Sequence, residues 1–396
     1  MADRKFKDTE VGRIPVDWEV KRLGEIAEIA TGSTPPTKDK TNYGDKYLFV
    51  SPADLRENKY VWNTEKKLSE KGFRLSRKFP PNTILFTCIG STIGKTGILP
   101  IEATSNQQIN AILPNESYST EFVYYYLSHI ALEIKALASE QAVPIINKST
   151  FELIEILLPP LPEQKAIAKV LSDMDELIES IEKLIHKKKQ IKQGAMQELL
   201  TGKKRLPGFS GEWEVKRLGN FLKFQVGYPF NSKYFNQDNL GIRLIKNRDL
   251  KSDEQLFYYT GKYSEEYLVN NGDVLVGMDG EFIPCLWNKG LGLLNQRVGR
   301  IITGEEIDLE FVHYFLIEPL KKIQNTTSGT TVKHLSHSDV ENLELPLPPL
   351  PEQKAIAQIL SDMDAEIEAL EKKLEKYKQI KEGMMEKLLT GQVRLV

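Results

Sequence analysis

LPPLPEQKAIAKVLSDMDELIE, at residues 158–179, returns at 347–368 as LPPLPEQKAIAQILSDMDAEIE, identical at 18 of 22 positions after an interval of 189 residues. A repeat of this length in a 396-residue chain means that one structural unit occurs twice. It also implies a partner with two similar halves. Two further blocks order the units. WEVKRLG stands at 18–24 and at 213–219, and IKQGAMQELLTG at 191–202 recurs as IKEGMMEKLLTG at 380–391. Each unit therefore reads WEVKRLG, a long dissimilar stretch, LPPLPEQ, and a segment ending in LLTG. The first WEVKRLG is the block that would follow the second LLTG if the chain were closed. This circular order predicts a pseudo-two-fold arrangement with the termini close together.

The repeated tract reads as a long helix. Pro162 and Pro351 suit a first helical position, and Glu163 and Glu352 place negative charge against the positive helix end. Apolar residues then follow at alternating intervals of three and four. Ile167, Met174 and Ile181 mark the seam of the first copy, and Ile356, Met363 and Leu370 that of the second. About 39 residues make a helix of roughly 58 Å, too long to pack under one domain. The expected partner is the other copy, antiparallel, as a coiled coil. Gly194 and Gly383 lie inside the pattern and predict a close helix crossing, with a local kink as the alternative; Gly202 and Gly391 read as C-terminal stops.

The dissimilar stretches, 25–157 and 220–346, are mixed α/β (α+β) by pattern. YLFVS (47–51), NTILFTCIG (82–90) and NAILP (110–114) read as strands and 121–139 as a helix. IRLIK (242–246), DVLVGM (273–278) and RVGRIIT (297–303) match those strands, and 309–323 matches the helix. Gly32 aligns with Gly227, Asp54 with Asp249, and Asn106-Gln107 with Asn295-Gln296. One scaffold thus carries two different faces. The expected organisation is a mixed domain at 1–157, a long helix at 158–204, a second mixed domain at 205–346 and a second long helix at 347–396.

Composition narrows the function. An apolar fraction of 40% and a charged fraction of 27% are ordinary for a globular chain. The first residues lack an apolar h-region, and no run of 18 apolar residues occurs, so the expectation is a cytoplasmic protein. Cys88 and Cys285 make no CxxC pair and read as reduced thiols. The net charge of −2 argues against an autonomous tight DNA binder, although residues 186–205 form a basic junction.

Catalytic and metal motifs fail. GSTIGKT (90–96) has three residues between its glycines where a phosphate-binding loop needs four. The methyl-donor loop and the catalytic tetrad of an adenine methyltransferase are missing, and the five histidines form no metal pattern.

Two dissimilar α/β regions, each followed by LPPLPEQ and a helix ending in LLTG, in circular register, resemble the specificity subunit of type I restriction-modification systems. The strongest resemblance lies in PPLPEQKAI at 159–167 and 348–356, with WEVKRLG and LLTG beside it. The resemblance implies that each mixed domain is a target recognition domain reading one half of a split double-stranded DNA target. It implies helices that separate the domains and dock two methyltransferase subunits, with motor-nuclease subunits in the full complex. S-adenosylmethionine and ATP would belong to those partners, with no cofactor on this chain and no catalytic or metal site of its own. The alternative is a coiled-coil scaffold whose two domains bind proteins.

Base-reading candidates are polar or basic residues on loops between aligned elements. In the first domain they are Ser33, Thr34, Lys38, Tyr43, Lys95, Gln107, Gln108 and Gln141. In the second they are Tyr228, Lys246, Asn247, Arg248, Arg297, Thr331, Lys333 and His334. Arg and Lys pair with guanine edges, Gln and Asn with adenine.

Overall fold

The computed structural model describes residues 6–56, 58–138, 143–326 and 334–395. Contacts divide the chain into two units, residues 1–182 with 372–396, and residues 183–371. The division falls midway along the two long helices, Leu161–Leu199 and Leu350–Leu389. Each unit therefore holds one globular part, the first half of one long helix and the last half of the other.

In the first unit, Glu19–Arg22 pairs antiparallel with Glu155–Leu158, so WEVKRLG is stitched to the strand that runs into LPPLPEQ. A four-stranded sheet runs Thr96–Ile98, Ile84–Thr87, Ile109–Ile112, Ile29–Thr31, all antiparallel. Its two inner strands, ILFT and INAI, are buried at every position, which is why they read as unbroken apolar runs rather than alternating ones. A five-stranded sheet runs Tyr43–Gly44, Lys67–Leu68, Tyr47–Val50, Ala103–Ser105, Lys78–Phe79, with one parallel pair where Thr104 faces Phe49. The predicted helix at 121–139 forms as two, Thr120–His129 and Ala131–Ala136.

Apart from the hairpin Phe6–Thr9/Gly12–Pro15, which only the first unit has among the described residues, the second unit repeats this topology. Glu214–Arg217 pairs with Glu344–Leu347. The four-stranded sheet runs Pro284–Leu286, Val274–Gly277, Val298–Thr303, Leu222–Val226. The five-stranded sheet runs Phe235–Asn236, Phe257–Tyr259, Ile242–Ile245, Gly292–Leu294, Leu268–Val269, again with one parallel pair. The helix corresponding to the broken one is continuous from Leu309 to Thr326, despite Pro319 within it.

The ends of the long helices are buried in the globular cores. Ile167 and Leu171 join Phe86, Phe122 and Phe151 in one core, together with Leu388 and Leu389 from the end of the other helix. Ile356 and Leu360 join Phe224, Phe311 and Leu316 with Leu199 and Leu200. The outer seam residues Ile167 and Ile356 thus serve domain and helix pair at once. Ile181 is also buried, while Met174, Met363 and Leu370 are half-buried.

Polar side chains fix the helices in each unit. Tyr125 donates to Asp175 at 2.5 Å, and Lys381 pairs with the same carboxylate at 2.6 Å. Every member returns 189 positions away in the second unit, where Tyr314 donates to Asp364 at 2.9 Å and Lys192 pairs with it. Outside these triads, Glu182 meets Lys378 in the first unit, and Lys188 meets Glu366 and Lys189 meets Glu371 in the second. From Asp175–Lys381 to Glu182–Lys378 in the first unit, and from Lys189–Glu371 to Lys192–Asp364 in the second, numbers fall on one helix as they rise on the other, so both halves of the pair run antiparallel. The close crossing expected at Gly194 and Gly383 is not there. A Cβ built on either glycine meets no atom within 4 Å. Gly194 is exposed and Gly383 half-buried, each with room for a side chain.

Candidate nucleic-acid interface

What the two copies share is a joint. Glu163 is fully buried and accepts the Trp18 indole N–H at 3.0 Å and the Arg394 guanidinium at 2.5 and 2.6 Å; Arg394 also holds Asp17. Glu352 accepts Trp213 at 3.1 Å and Arg205 at 2.7 Å in the same way. Both arginines are driven further toward the charged form by these carboxylates, and Arg394 draws in turn the carboxyl of Asp17 below its usual range. The next residue completes the joint. Gln164 bonds the Pro159 carbonyl and the Ser119 N–H, and Gln353 bonds the Pro348 carbonyl and the Asp308 N–H, all at 2.8 Å. The repeated tract is therefore architecture, and the dissimilar surface is where the units can differ in what they bind.

A shared framework positions that surface. Gly32 and Gly227 lie so close to the facing strand that a Cβ would sit 2.1 Å from the carbonyl oxygens of Asn106 and Asn295. Only glycine permits this approach, and it brings residues 33–34 and 228 beside 106–108 and 295–297. Asp54 accepts the Ser51 N–H and Asp249 accepts the Lys246 N–H, each at 2.8 Å, fixing a second loop alongside.

On this framework the first unit places Thr34, Tyr43, Gln107 and Gln108 around one shallow cavity of about 320 Å³, with Ser51 and Lys66. Thr34 donates to Gln107 at 2.5 Å. Gln108 accepts from Asn106 Nδ2 at 2.9 Å through its side-chain oxygen. Ser33 turns to the backbone instead, where its hydroxyl accepts the Arg77 N–H at 2.7 Å. Lys38 and Lys95 are exposed. Lys95 lies in the turn between Ile84–Thr87 and Thr96–Ile98, where Gly90 and Gly94 have positive φ; this is the stretch that imitated a phosphate loop. Gln141 falls outside the described residues.

The second unit gathers Asn247, Arg297 and His334 around Asp279. His334 Nδ1 donates to Asp279 Oδ1 at 2.9 Å, Arg297 Nε pairs with Oδ2 at 3.5 Å, and Asn247 Nδ2 donates to the Asp279 carbonyl at 2.7 Å. Tyr228 is 48% exposed, with its ring 5.2 Å from those of Phe230 and Tyr267. Arg248 donates to Gln255 at 2.7 Å. Lys246 is engaged inside the domain. Its ammonium lies 3.2 Å from the Phe257 ring centre, and burial, helped by the charge of Arg248, lowers its pKa. Thr331 and Lys333 fall outside the described residues.

Asp279 escaped the sequence reading, and Asn106 entered it only as an aligned landmark, not as a site residue. The available signal was positional: Asp279 follows its strand where Ile89 follows the matching strand in the other unit.

One scaffold displayed twice with different polar faces defines a two-headed recognition protein, and comparison with known proteins gives the family. The family model for the type I restriction modification DNA specificity domain matches the chain twice, at residues 15–193 and 210–381. The chain belongs to this family of type I restriction-modification specificity subunits. Similar curated proteins are the type I restriction enzyme MjaVIII and MjaIX specificity subunits of Methanocaldococcus jannaschii, 29% and 28% identical. Each alignment covers 99% of this chain and 97% of the relative. Among solved structures, the S subunit of a type I restriction-modification system from M. genitalium has the same fold, with a TM-score of 0.61 at 15% identity over 94% of this chain and 96% of that one. Among the described residues, no helix is long and apolar enough to cross a membrane.

Proposed function

We propose that this chain gives a type I restriction-modification complex its bipartite target, each globular domain reading one half of a double-stranded sequence. The observation that carries this reading is the repetition of one strand topology beneath two dissimilar faces: Thr34, Tyr43, Gln107 and Gln108 on one, Tyr228, Asn247, Arg297 and His334 on the other. Such side chains, on loops braced by rigid sheets, suit base-edge contact in a groove. The half-buried Met174, Met363 and Leu370, with Ile167, Ile181 and Ile356, hold the helix pair, and its outer surface docks two methyltransferase subunits. S-adenosylmethionine and ATP are bound by the methyltransferase and motor-nuclease partners, and this chain contributes recognition and assembly. Near-neutral charge fits a reader whose partners supply much of the phosphate neutralisation.

The test is domain exchange. Residues 220–346 are replaced by the corresponding region of another specificity subunit, the methyltransferase complex is assembled, and methylated adenines are mapped. One half of the target should change and the other persist. A change in both halves, or in neither, refutes the reading.

A further inference from the structure

Gln108 and Arg297 occupy one position of the two domains. The carbonyl of Gln108 accepts the Cys88 N–H at 2.8 Å, and that of Arg297 accepts the Met278 N–H at 3.0 Å. Each lies two residues beyond the paired asparagines Asn106 and Asn295 and leads into an inner strand of the four-stranded sheet. The surroundings of the two residues differ together. In the first domain, the flanking bridge joins Ile89 to Ile145, and Gln108 takes its support from Asn106, which binds both its side-chain oxygen and its backbone N–H. In the second, the same bridge joins Asp279 to His334, and Arg297 leans on that carboxylate. Arg297 has a φ of +72°, a left-handed backbone that side chains other than glycine avoid. Asn295 Oδ1 is left buried, with no hydrogen-bond partner among the described residues. A neutral side chain with a neutral brace has been exchanged for a cation with an acidic brace, at the cost of a strained backbone and an orphaned acceptor. Strain of this kind persists where it holds a side chain for function.

We infer that this position determines specificity in both domains, Gln108 reading an adenine in one half-site and Arg297 a guanine in the other. This deepens, and rests on, the DNA-reading function proposed above. Adenine presents N7 as acceptor and N6–H as donor, which match the side-chain amide of Gln108: its Nε2 donates, and its oxygen has a second lone pair beside the one Asn106 uses. Guanine presents two acceptors, N7 and O6, which match a guanidinium. Arg297 Nη1 donates to Asp279 Oδ1 at 3.5 Å and also lies 3.2 Å from His334 Nδ1, while Nε stands 3.5 Å from Oδ2 in the ion pair; Nη2 is the nitrogen that would turn to the base. The brace fixes the side chain before DNA arrives and so lowers the ordering cost of the contact.

The experiment uses the complex of this chain with its methyltransferase subunits, bound to its own mapped target. Each guanine of the second half-site is replaced in turn by 7-deazaguanine, and each adenine of the first by 7-deazaadenine, removing the N7 acceptor alone. Binding should weaken roughly 5- to 100-fold at one guanine and at one adenine, as expected for loss of a bidentate contact. Arg297→Asn, chosen because asparagine tolerates a left-handed backbone, should abolish the guanine effect and leave the adenine effect. Gln108→Ala should do the reverse. If the Asn variant binds too weakly to compare, Arg297→Lys keeps the charge and should cut the guanine effect to a few-fold. A second half-site without an N7-dependent guanine, or an unchanged penalty in the Arg297 variants, overturns the inference while the DNA-reading function stands. A complex with no bipartite target overturns both.

Discussion

Arg394 and Glu163 stand 231 positions apart and form a two-point ion pair at 2.5 and 2.6 Å around a carboxylate with no solvent exposure. The pair closes the circle, since Arg205 makes the same contact to Glu352 where the chain is continuous. Removing one partner of a buried pair leaves the other charge uncompensated. Arg394→Ala should therefore cost the first unit on the order of 3 kcal/mol, the low end for such losses because the guanidinium keeps some contact with water. Urea unfolding of the intact chain measures it. An unchanged midpoint would show that Trp18 alone satisfies Glu163.

His313 makes the second unit sensitive to acid. Burial, helped by the charge of Lys192 and opposed by Asp364, pulls its pKa down to about 4, and its Nδ1 has no partner among the described residues. The unfolded chain takes up this proton near pH 6.5 and the folded one only near 4. The stabilisation is thus complete above about pH 6.5 and lost as pH falls toward 4. Between pH 7.5 and 5 the loss should approach about 2 kcal/mol. His313→Leu should flatten that part of the profile without lowering stability at pH 7.5. Parallel pH profiles for the two proteins would contradict the assignment.

The two long helices and the inner strands of the four-stranded sheets were legible because each depends on the period or continuity of apolar residues within one segment. Leu161–Leu199 and Leu350–Leu389 follow from the three-and-four spacing, and Ile84–Thr87 and Val274–Gly277 from unbroken apolar runs. The site was less legible, because a polar side chain's availability depends on what the fold brings to it. Lys246 and Arg297 look alike in sequence, yet the first lies against the Phe257 ring and the second pairs with Asp279. Glu163 suited a helix end on its own terms, and nothing local disclosed the arginine 231 residues away. Gly194 and Gly383 misled for the opposite reason: repetition implied a contact, and the surface there is open.

That open surface sets a further expectation. Glycine inside an exposed helix costs about 1 kcal/mol relative to alanine. With no atom in the way, Gly194→Ala and Gly383→Ala should each stabilise the isolated chain by about that amount. Thermal unfolding of the single and double variants tests this. A decrease in stability would mean that the glycines are needed by the fold itself.

The exposed ion pairs between the helices, outside the two Tyr–Asp–Lys triads, should matter little to their association. Lys188–Glu366, Lys189–Glu371 and Lys378–Glu182 are all substantially exposed, and such pairs contribute at most about 1 kcal/mol each. Raising the salt from 0.1 to 1 M should leave the helical signal and unfolding midpoint nearly unchanged, whereas Ile181→Asp, at a buried seam position, should lower the midpoint strongly. Loss of helix at high salt would make the charges, not the apolar seam, the source of the pairing.

The proposed docking of methyltransferase subunits on the helices makes a prediction about the residues exposed there. Leu177, Leu184 and Ile191 form an exposed apolar stripe at intervals of seven on the central helix, but their counterparts in the other helix are Glu366, Lys373 and Ile380. Only the isoleucine recurs as an exposed apolar residue, 47% accessible at Ile191 and 38% at Ile380. Two copies of one methyltransferase need two equivalent seats, so the repeated isoleucine is the better anchor than the unrepeated leucines. Ile191→Glu and Ile380→Glu should each reduce the complex from two methyltransferase subunits to one, and the double variant should bind none. Native mass spectrometry counts the subunits directly. Full occupancy in both single variants would rule the isoleucines out, while Leu177→Glu or Leu184→Glu should remove at most the copy seated on the central helix.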